Sequence, residues 1–152
     1  MSTMVEPRWL SAEQQHVWRA YLNGVARINE RLDAELRQFD LDLGEYEILV
    51  HLSESPEQQL RMSDLAARVR QSRSRLTHTV ARMEKKGLVL RKACPEDRRG
   101  VIAVLTGRGL TLLKTAAPYH VESVRQAFVD PVSPEDFEAI GRAMHAVLAV
   151  TN

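Results

Sequence analysis

The sequence predicts a mainly α-helical fold with one small β-hairpin, and three observations lead to this prediction. Apolar residues recur at three- and four-residue steps towards both ends of the chain. Two shorter helical segments follow one another across a tight turn near the middle. Two short apolar runs, separated by a turn that contains Pro95, Asp97 and Gly100, come directly after them. A chain of 152 residues suits one domain, or one domain plus a dimerisation extension.

The first helix is predicted to begin at Ser11, which forms a capping box with Gln14. Its apolar stripe runs to about residue 39, further than a small domain requires, so we expect a partner subunit to cover part of it. A break over residues 40–43 precedes a second helix over 44–52, and residues 53–59 are predicted to form a loop. The stripe consists of Trp18, Tyr21, Leu22, Val25, Ile28, Leu32, Leu36 and Phe39.

In the middle of the chain, Ser63 is predicted to cap a short helix that ends at Val69. After a tight turn, Ser72 caps another helix, which runs to Lys86 and is ended by Gly87. Residues 88–92 and 101–105 then form the two strands of the hairpin. A helix-turn-helix followed at once by a β-hairpin is a winged helix.

Two more helices are predicted towards the C-terminus. Thr106 caps one that runs to about Phe128 and that Pro118 should bend or interrupt. The pair Ser133-Pro134 begins the last helix, whose apolar stripe we expect to face inward. We therefore expect an N-terminal dimerisation helix over residues 1–43, a winged helix-turn-helix lobe over 44–106 and C-terminal dimerisation helices over 107–152.

The distribution of charge predicts a polyanionic partner. The net charge is only +1, but residues 61–108 hold thirteen Lys and Arg against four Asp and Glu, a net charge of +9. The rest of the chain carries −8. A basic module between acidic flanks concentrates attraction for nucleic acid on one surface. A winged helix that binds only protein is the alternative, and it would not need this charge.

The helix after Ser72 is the predicted DNA reader. Its spacing places Leu76, Val80 and Met83 in the core and leaves a polar face that suits the base edges of a major groove. Five basic residues on this one helix, Lys86 among them, favour nucleic acid over an ordinary solvated face. The candidates for base edges are Ser74, Arg75, Thr77 and His78, and those for the phosphate backbone are Arg73, Arg82 and Lys85. The cap residue Ser72 is also predicted to contact DNA.

The hairpin tip holds the other candidate contacts. Asp97 and Arg99 are two residues apart, so in an extended segment the carboxylate could brace the guanidinium. An arginine presented in this way suits a narrow minor groove. Arg98, which lies between them, is also predicted to contact DNA.

These residues resemble the multiple antibiotic resistance regulator (MarR) family. The resemblance rests on Met62 to Ala66, Ser72 to Val89, and the Asp97-x-Arg99 pair that leads into Leu105-Thr106. It implies a homodimer, a palindromic duplex operator, and repression that a small-molecule effector or an oxidant relieves. By this match Asp97 and Arg99 take the wing role, and the Ser72 to Lys86 segment takes the role of recognition helix. Arg75 departs from the small residues that are common in the family.

Other functions are disfavoured or left open. We predict no enzyme, metal site or cofactor, because the five histidines are widely spaced and no phosphate loop or nucleophile elbow occurs. Cys94 leaves open an oxidation-responsive regulator as an alternative. An effector pocket could draw on Tyr21, Tyr46 and His120. A lone cysteine, no apolar run long enough to cross a bilayer, and no secretory signal in residues 1–7 predict a cytoplasmic protein without a membrane partner.

Overall fold

A computed structural model describes residues 6–150, which form six α-helices and a three-stranded antiparallel sheet. Residues 1–7, in which the sequence predicts no secretory signal, lie mostly outside the described residues. The helices are α1 (Ala12–Leu36), α2 (Leu43–Ser53), α3 (Met62–Val69), α4 (Arg73–Lys85), α5 (Gly107–Val124) and α6 (Pro134–Val150). The strands are β1 (Gln59–Arg61), β2 (Val89–Cys94) and β3 (Asp97–Leu105), in the order β1-β3-β2. The mainly helical winged-helix prediction is confirmed.

Short-range signals position most helix starts. Ser11 and Gln14 form the predicted capping box at the start of α1. The hydroxyl of Thr106 accepts the backbone N–H of Gly109 at 3.0 Å, and that of Ser133 accepts the backbone N–H of Asp136 at 3.2 Å. Each of these bonds satisfies a backbone donor that the first helical turn leaves without a partner.

One helix start was predicted wrongly. Helix α3 begins at Met62 and its N-cap is Arg61, which makes no side-chain capping bond. Ser63 therefore lies inside the first turn. The reason is that residues 59–61, of which only Gln59 fell within the predicted loop and none within a predicted strand, form β1 and pair with β3, so that Leu60 lies opposite Ala103. Strand β1 ends at Arg61, and α3 begins at the next residue.

The wing is longer and its tip shorter than predicted. Strands β2 and β3 reach to Cys94 and Asp97, which leaves only Pro95 and Glu96 in the turn. The pairing is irregular between Ala93 and Cys94. At Gly100 a Cβ atom would lie 2.9 Å from the Cβ of Cys94, so this position of the wing has no room for a side chain.

The core lies where α2, α3, α4 and the sheet meet the end of α1 and the start of α5. Its fully buried side chains include Leu36, Leu49, Leu65, Val80 and Val89. Helix α5 continues through Pro118 without interruption and passes into a π-helical turn over Arg125–Val129. The core thus holds the helix-turn-helix and the wing in one lobe.

The N-terminal part of α1 and the whole of α6 leave apolar surface exposed. The inward-facing stripe predicted for the last helix is not observed within this chain, because α6 contains no buried residue. The exposed side chains include Trp9, Val17, Trp18, Tyr21, Leu22 and Val25 near α1, and Phe137, Ile140, Leu148 and Val150 on α6. An apolar patch of this extent is typical of a surface that a partner covers.

Candidate nucleic-acid interface

Helix α4 is fixed on the lobe by its caps and by its inner face. The hydroxyl of Ser72 accepts the backbone N–H of Arg75 at 3.2 Å, and Gly87 ends the segment with a φ of +77°, which favours glycine. Leu76, Val80 and Met83 are buried as predicted. The opposite face of α4 must therefore point to solvent.

Every residue of α4 and its cap that was predicted to touch DNA is exposed. These residues are Ser72, Arg73, Ser74, Arg75, Thr77, His78, Arg82 and Lys85. A rigid helix that presents polar and cationic side chains without large aliphatic ones matches the donors and acceptors of a major groove.

One edge of this face borders a groove of about 890 Å³ between α4 and the helices α1 and α2. Ser74, Arg75 and His78 line it from α4, opposite the acidic residues Glu30, Asp33, Asp42 and Glu47. Arg82 was predicted to contact phosphate, but its guanidinium lies 3.5 Å from the Asp42 carboxylate in this structure. This pair is half exposed, so it contributes little to stability and can open.

The other edge borders a cleft of about 370 Å³ between α4 and the wing. Arg73 and Thr77 line it from α4, and Asp97 and Arg99 line it from β3. Arg61 and Arg91 also line this cleft, although sequence reasoning did not assign either of them. Their positions follow from β1 and from the pairing of β2 with β3, which the residue pattern did not reveal.

The wing residues Asp97, Arg98 and Arg99 are exposed, as expected, but the predicted side-chain brace is wrong. The Asp97 carboxylate accepts the backbone N–H of Arg99 at 3.0 Å. Among the described residues no ion pair joins it to the Arg99 guanidinium. Asp97 therefore stabilises the turn, and the guanidinium of Arg99 stays available to a ligand.

Lys86 does not belong to the outer face of the recognition helix, although it was one of the five basic residues of this helix that favoured nucleic acid. Its Nζ lies 3.0 Å from a carboxylate oxygen of the buried Glu45 and donates to the carbonyl of Asp40 at 2.6 Å. The residue thus ties the end of α4 to the start of α2. Glu84, two residues earlier in α4, binds Arg91 of the wing.

The residues expected at an effector pocket are only partly brought together. The rings of Tyr46 and His120 lie 4.2 Å apart, where α2 packs on α5. Burial raises the pKa of Tyr46 and lowers the pKa of His120, whose Nδ1 has no hydrogen-bond partner within residues 6–150. Tyr21 instead stacks on Trp18 on the exposed part of α1, with 5.9 Å between the ring centroids.

The described part of the chain gives little support for oxidation sensing at Cys94, for a metal site or for a membrane-spanning helix. The thiol of Cys94 is buried in the wing, which restricts the access of an oxidant. Residues 6–150 contain no group of three potential metal ligands. Within the same range, no helix has the length and apolar character needed to span a bilayer.

Comparison with known proteins agrees with this geometry. A model of the MarR family matches residues 41–101, which hold the helix-turn-helix and most of the wing. AbsC, a MarR family transcriptional regulator from Streptomyces coelicolor, is 43% identical to this chain in sequence, and its crystal structure matches the fold with a TM-score of 0.88. The match covers 94% of this chain and 97% of AbsC. The chain belongs to the MarR family.

Two further relatives match most of this chain. Sco3205, another MarR family transcriptional regulator of Streptomyces coelicolor, was solved in complex with DNA. It is 44% identical, with a TM-score of 0.90 and coverage of 94% of this chain and 90% of its own. The HTH-type transcriptional regulator MhqR of Bacillus subtilis is 30% identical over 114 residues, which are 73% of this chain and 74% of MhqR. The resemblance stated from the residues is confirmed, and this MarR chain is a transcriptional regulator by family.

Proposed function

We propose that this chain binds a palindromic duplex operator in a sequence-specific manner and represses transcription until a small-molecule effector releases it. The observation that carries the proposal is the shared exposed surface of α4 and the wing, on a module with a net charge of +9. The structure of Sco3205 with DNA supports the same use of a similar fold. The proposal includes no catalytic role, and a protein that binds chromosomal DNA would act in the cytoplasm.

The exposed apolar faces support a homodimer. We propose that residues 1–43 and 107–152 supply the dimer interface and that residues 44–106 form the DNA-binding lobe. Trp18 and Leu22 on α1, with Phe137 and Ile140 on α6, are exposed within one chain and would be covered in a dimer. Two-fold symmetry would then present two α4 helices to successive major grooves, about one helical turn apart.

The residues divide into those that read bases and those that anchor the backbone. Ser74, Arg75, Thr77 and His78 lie in the first half of α4, which enters the major groove most deeply. Arg73 and Lys85 would contact backbone phosphates. Arg99, with Arg98 beside it, would reach the minor groove, where a narrow width raises the negative potential.

Selection from a random duplex library tests this function. We expect the wild-type protein to enrich a palindrome with half-sites about one helical turn apart. Arg75→Ala should cost about 1–3 kcal/mol and relax the preference at one position of each half-site. Arg99→Ala should weaken binding to all sequences more evenly. Lys114→Ala, which removes an exposed charge from α5, is the matched control and should change neither.

The selection distinguishes the outcomes clearly. Recovery of unrelated sequences by the wild-type protein would contradict sequence-specific binding. An unchanged preference profile for Arg75→Ala would leave Ser74, Thr77 and His78 as the readers and would remove Arg75 from that set.

A further inference from the structure

The cleft between α4 and the wing lies where the proposed binding mode requires one DNA strand to pass. With α4 in a major groove and the wing in the neighbouring minor groove, the two elements lie on opposite sides of one sugar–phosphate strand. The gap between them is the cleft of about 370 Å³. A strand held there would carry its phosphates past the cleft lining.

The lining of the cleft has the chemistry of an anion site. Four guanidinium side chains line it from four different elements: Arg61 from β1, Arg73 from α4, Arg91 from β2 and Arg99 from β3. Guanidinium groups bind phosphate oxygens through paired N–H donors. Among the described residues that line the cleft, the only acid is Asp97, whose Oδ1 already accepts the backbone N–H of Arg99.

Arg61 is available to a ligand in this cleft. Its side chain is 42% exposed, and its ion pair is a long contact of 4.0 Å to Glu96, whose side chain is 87% exposed at the turn of the wing. An exposed pair at this distance is weak. A phosphate would therefore displace Glu96 at little cost.

Arg91 is held more firmly, by Glu84 of the recognition helix. One carboxylate oxygen of Glu84 accepts the backbone N–H of Arg91 at 2.9 Å, and the other accepts its guanidinium at 3.2 Å. Hydrogen bonds from the Arg91 side chain and backbone lower the pKa of Glu84, so it is charged at neutral pH. Glu84 lies seven residues after Thr77 and eleven after Arg73, on the wing-facing side of α4. It therefore joins strand β2 to the same edge of α4 that lines the cleft.

We propose that this cleft binds one phosphate of the strand between the two grooves, with Arg61 and Arg91 as contacts beside Arg73 and Arg99. Glu84 is then a positioning residue, which acts by holding Arg91 and strand β2 against α4. The proposal rests on the proposed function, because it assumes that α4 and the wing occupy adjacent grooves.

Methylphosphonate scanning of the selected operator tests the proposal, because it removes the charge of one phosphate at a time. We expect one position in each half-site where the neutral linkage weakens wild-type binding about tenfold. Arg61→Ala and Arg91→Lys should each weaken binding to the unmodified duplex while keeping its base preference. At the sensitive position the substitution and the neutral linkage should cost less together than the product of their separate effects. Lys114→Ala is the control: at every position the combined loss of affinity should equal the product of its own effect and that of the neutral linkage.

Glu84→Gln distinguishes positioning from simple stabilisation. As a single variant, Glu84→Gln should reduce the loss of affinity that the neutral linkage causes at the sensitive position. Added to Arg91→Lys, it should change the affinity for DNA no further. A lower unfolding temperature with an unchanged scan would overturn the positioning role. If the wild-type protein binds the operator but no phosphate is coupled to Arg61 or Arg91, the cleft proposal is wrong and the proposed function stands. If the wild-type protein binds no duplex, the proposed function itself fails.

Discussion

Lys86→Ala is expected to lower the free energy of unfolding by about 2–4 kcal/mol, although Lys86 was one of the five basic residues on the recognition helix that favoured nucleic acid. The residue lies 3.0 Å from an oxygen of Glu45, whose side chain is only 5% exposed. Removing the cation leaves a buried carboxylate without its partner and the Asp40 carbonyl without a donor that lies 2.6 Å away. Because Lys86 itself is 28% exposed, the loss should lie towards the lower end of that range.

Chemical denaturation of single and double variants measures this effect. Lys85→Ala is the matched control, since it removes a neighbouring exposed charge and should change stability by less than about 0.5 kcal/mol. The pair Glu45→Gln and Lys86→Met should recover most of the loss, because the amide oxygen can still accept the backbone N–H of Asp42. Equal losses for Lys85→Ala and Lys86→Ala would show that the ion pair contributes nothing.

Gly109→Ala is expected to lower the free energy of unfolding by about 3 kcal/mol, although Gly→Ala usually stabilises a helix. Gly109 is buried in the first turn of α5, where an added Cβ would overlap the backbone carbonyl of Leu88 and lie 2.8 Å from the Leu105 side chain. That carbonyl also accepts the backbone N–H of Thr106 at 3.1 Å, so it cannot move without breaking the junction of wing and helix.

Gly107→Ala is the matched control for Gly109→Ala. It lies two residues earlier on α5, and nothing would lie within 4 Å of the added Cβ. Thermal unfolding should therefore show a midpoint that is unchanged or slightly raised for Gly107→Ala and strongly lowered for Gly109→Ala. Similar midpoints for the two variants would contradict the tight packing of α5 on the wing.

Features that depend on neighbouring residues were predictable from the sequence. Ser11, Ser72 and Thr106 cap their helices as expected, because the capping bond spans only three residues. Gly87 ends the recognition segment with the expected positive φ. The exposed face of α4 followed from helical periodicity, because the buried positions Leu76, Val80 and Met83 determine the opposite side.

Features that depend on distant residues were not predictable. Strand β1 has three residues and pairs with a strand more than forty positions later, so no local pattern revealed it. Arg61 and Arg91 reach the cleft only because of that sheet. The direction of Lys86 depends on Glu45, a residue of another helix. The carboxylate of Asp97 accepts a hydrogen bond from the backbone N–H of Arg99 and does not pair with the Arg99 guanidinium. Such a bond to the backbone two residues on is common for Asp in turns.

The most direct test of DNA binding by this charged surface is the affinity for the selected operator as a function of salt concentration. Each neutralised phosphate releases condensed counterions, so six or more contacts per dimer predict a slope of about −5 or steeper in log Kobs against log salt. We expect that slope for the wild-type protein and a slope shallower by about one unit for each phosphate contact that a substitution removes. A wild-type affinity that stays flat between low and moderate salt would contradict the account.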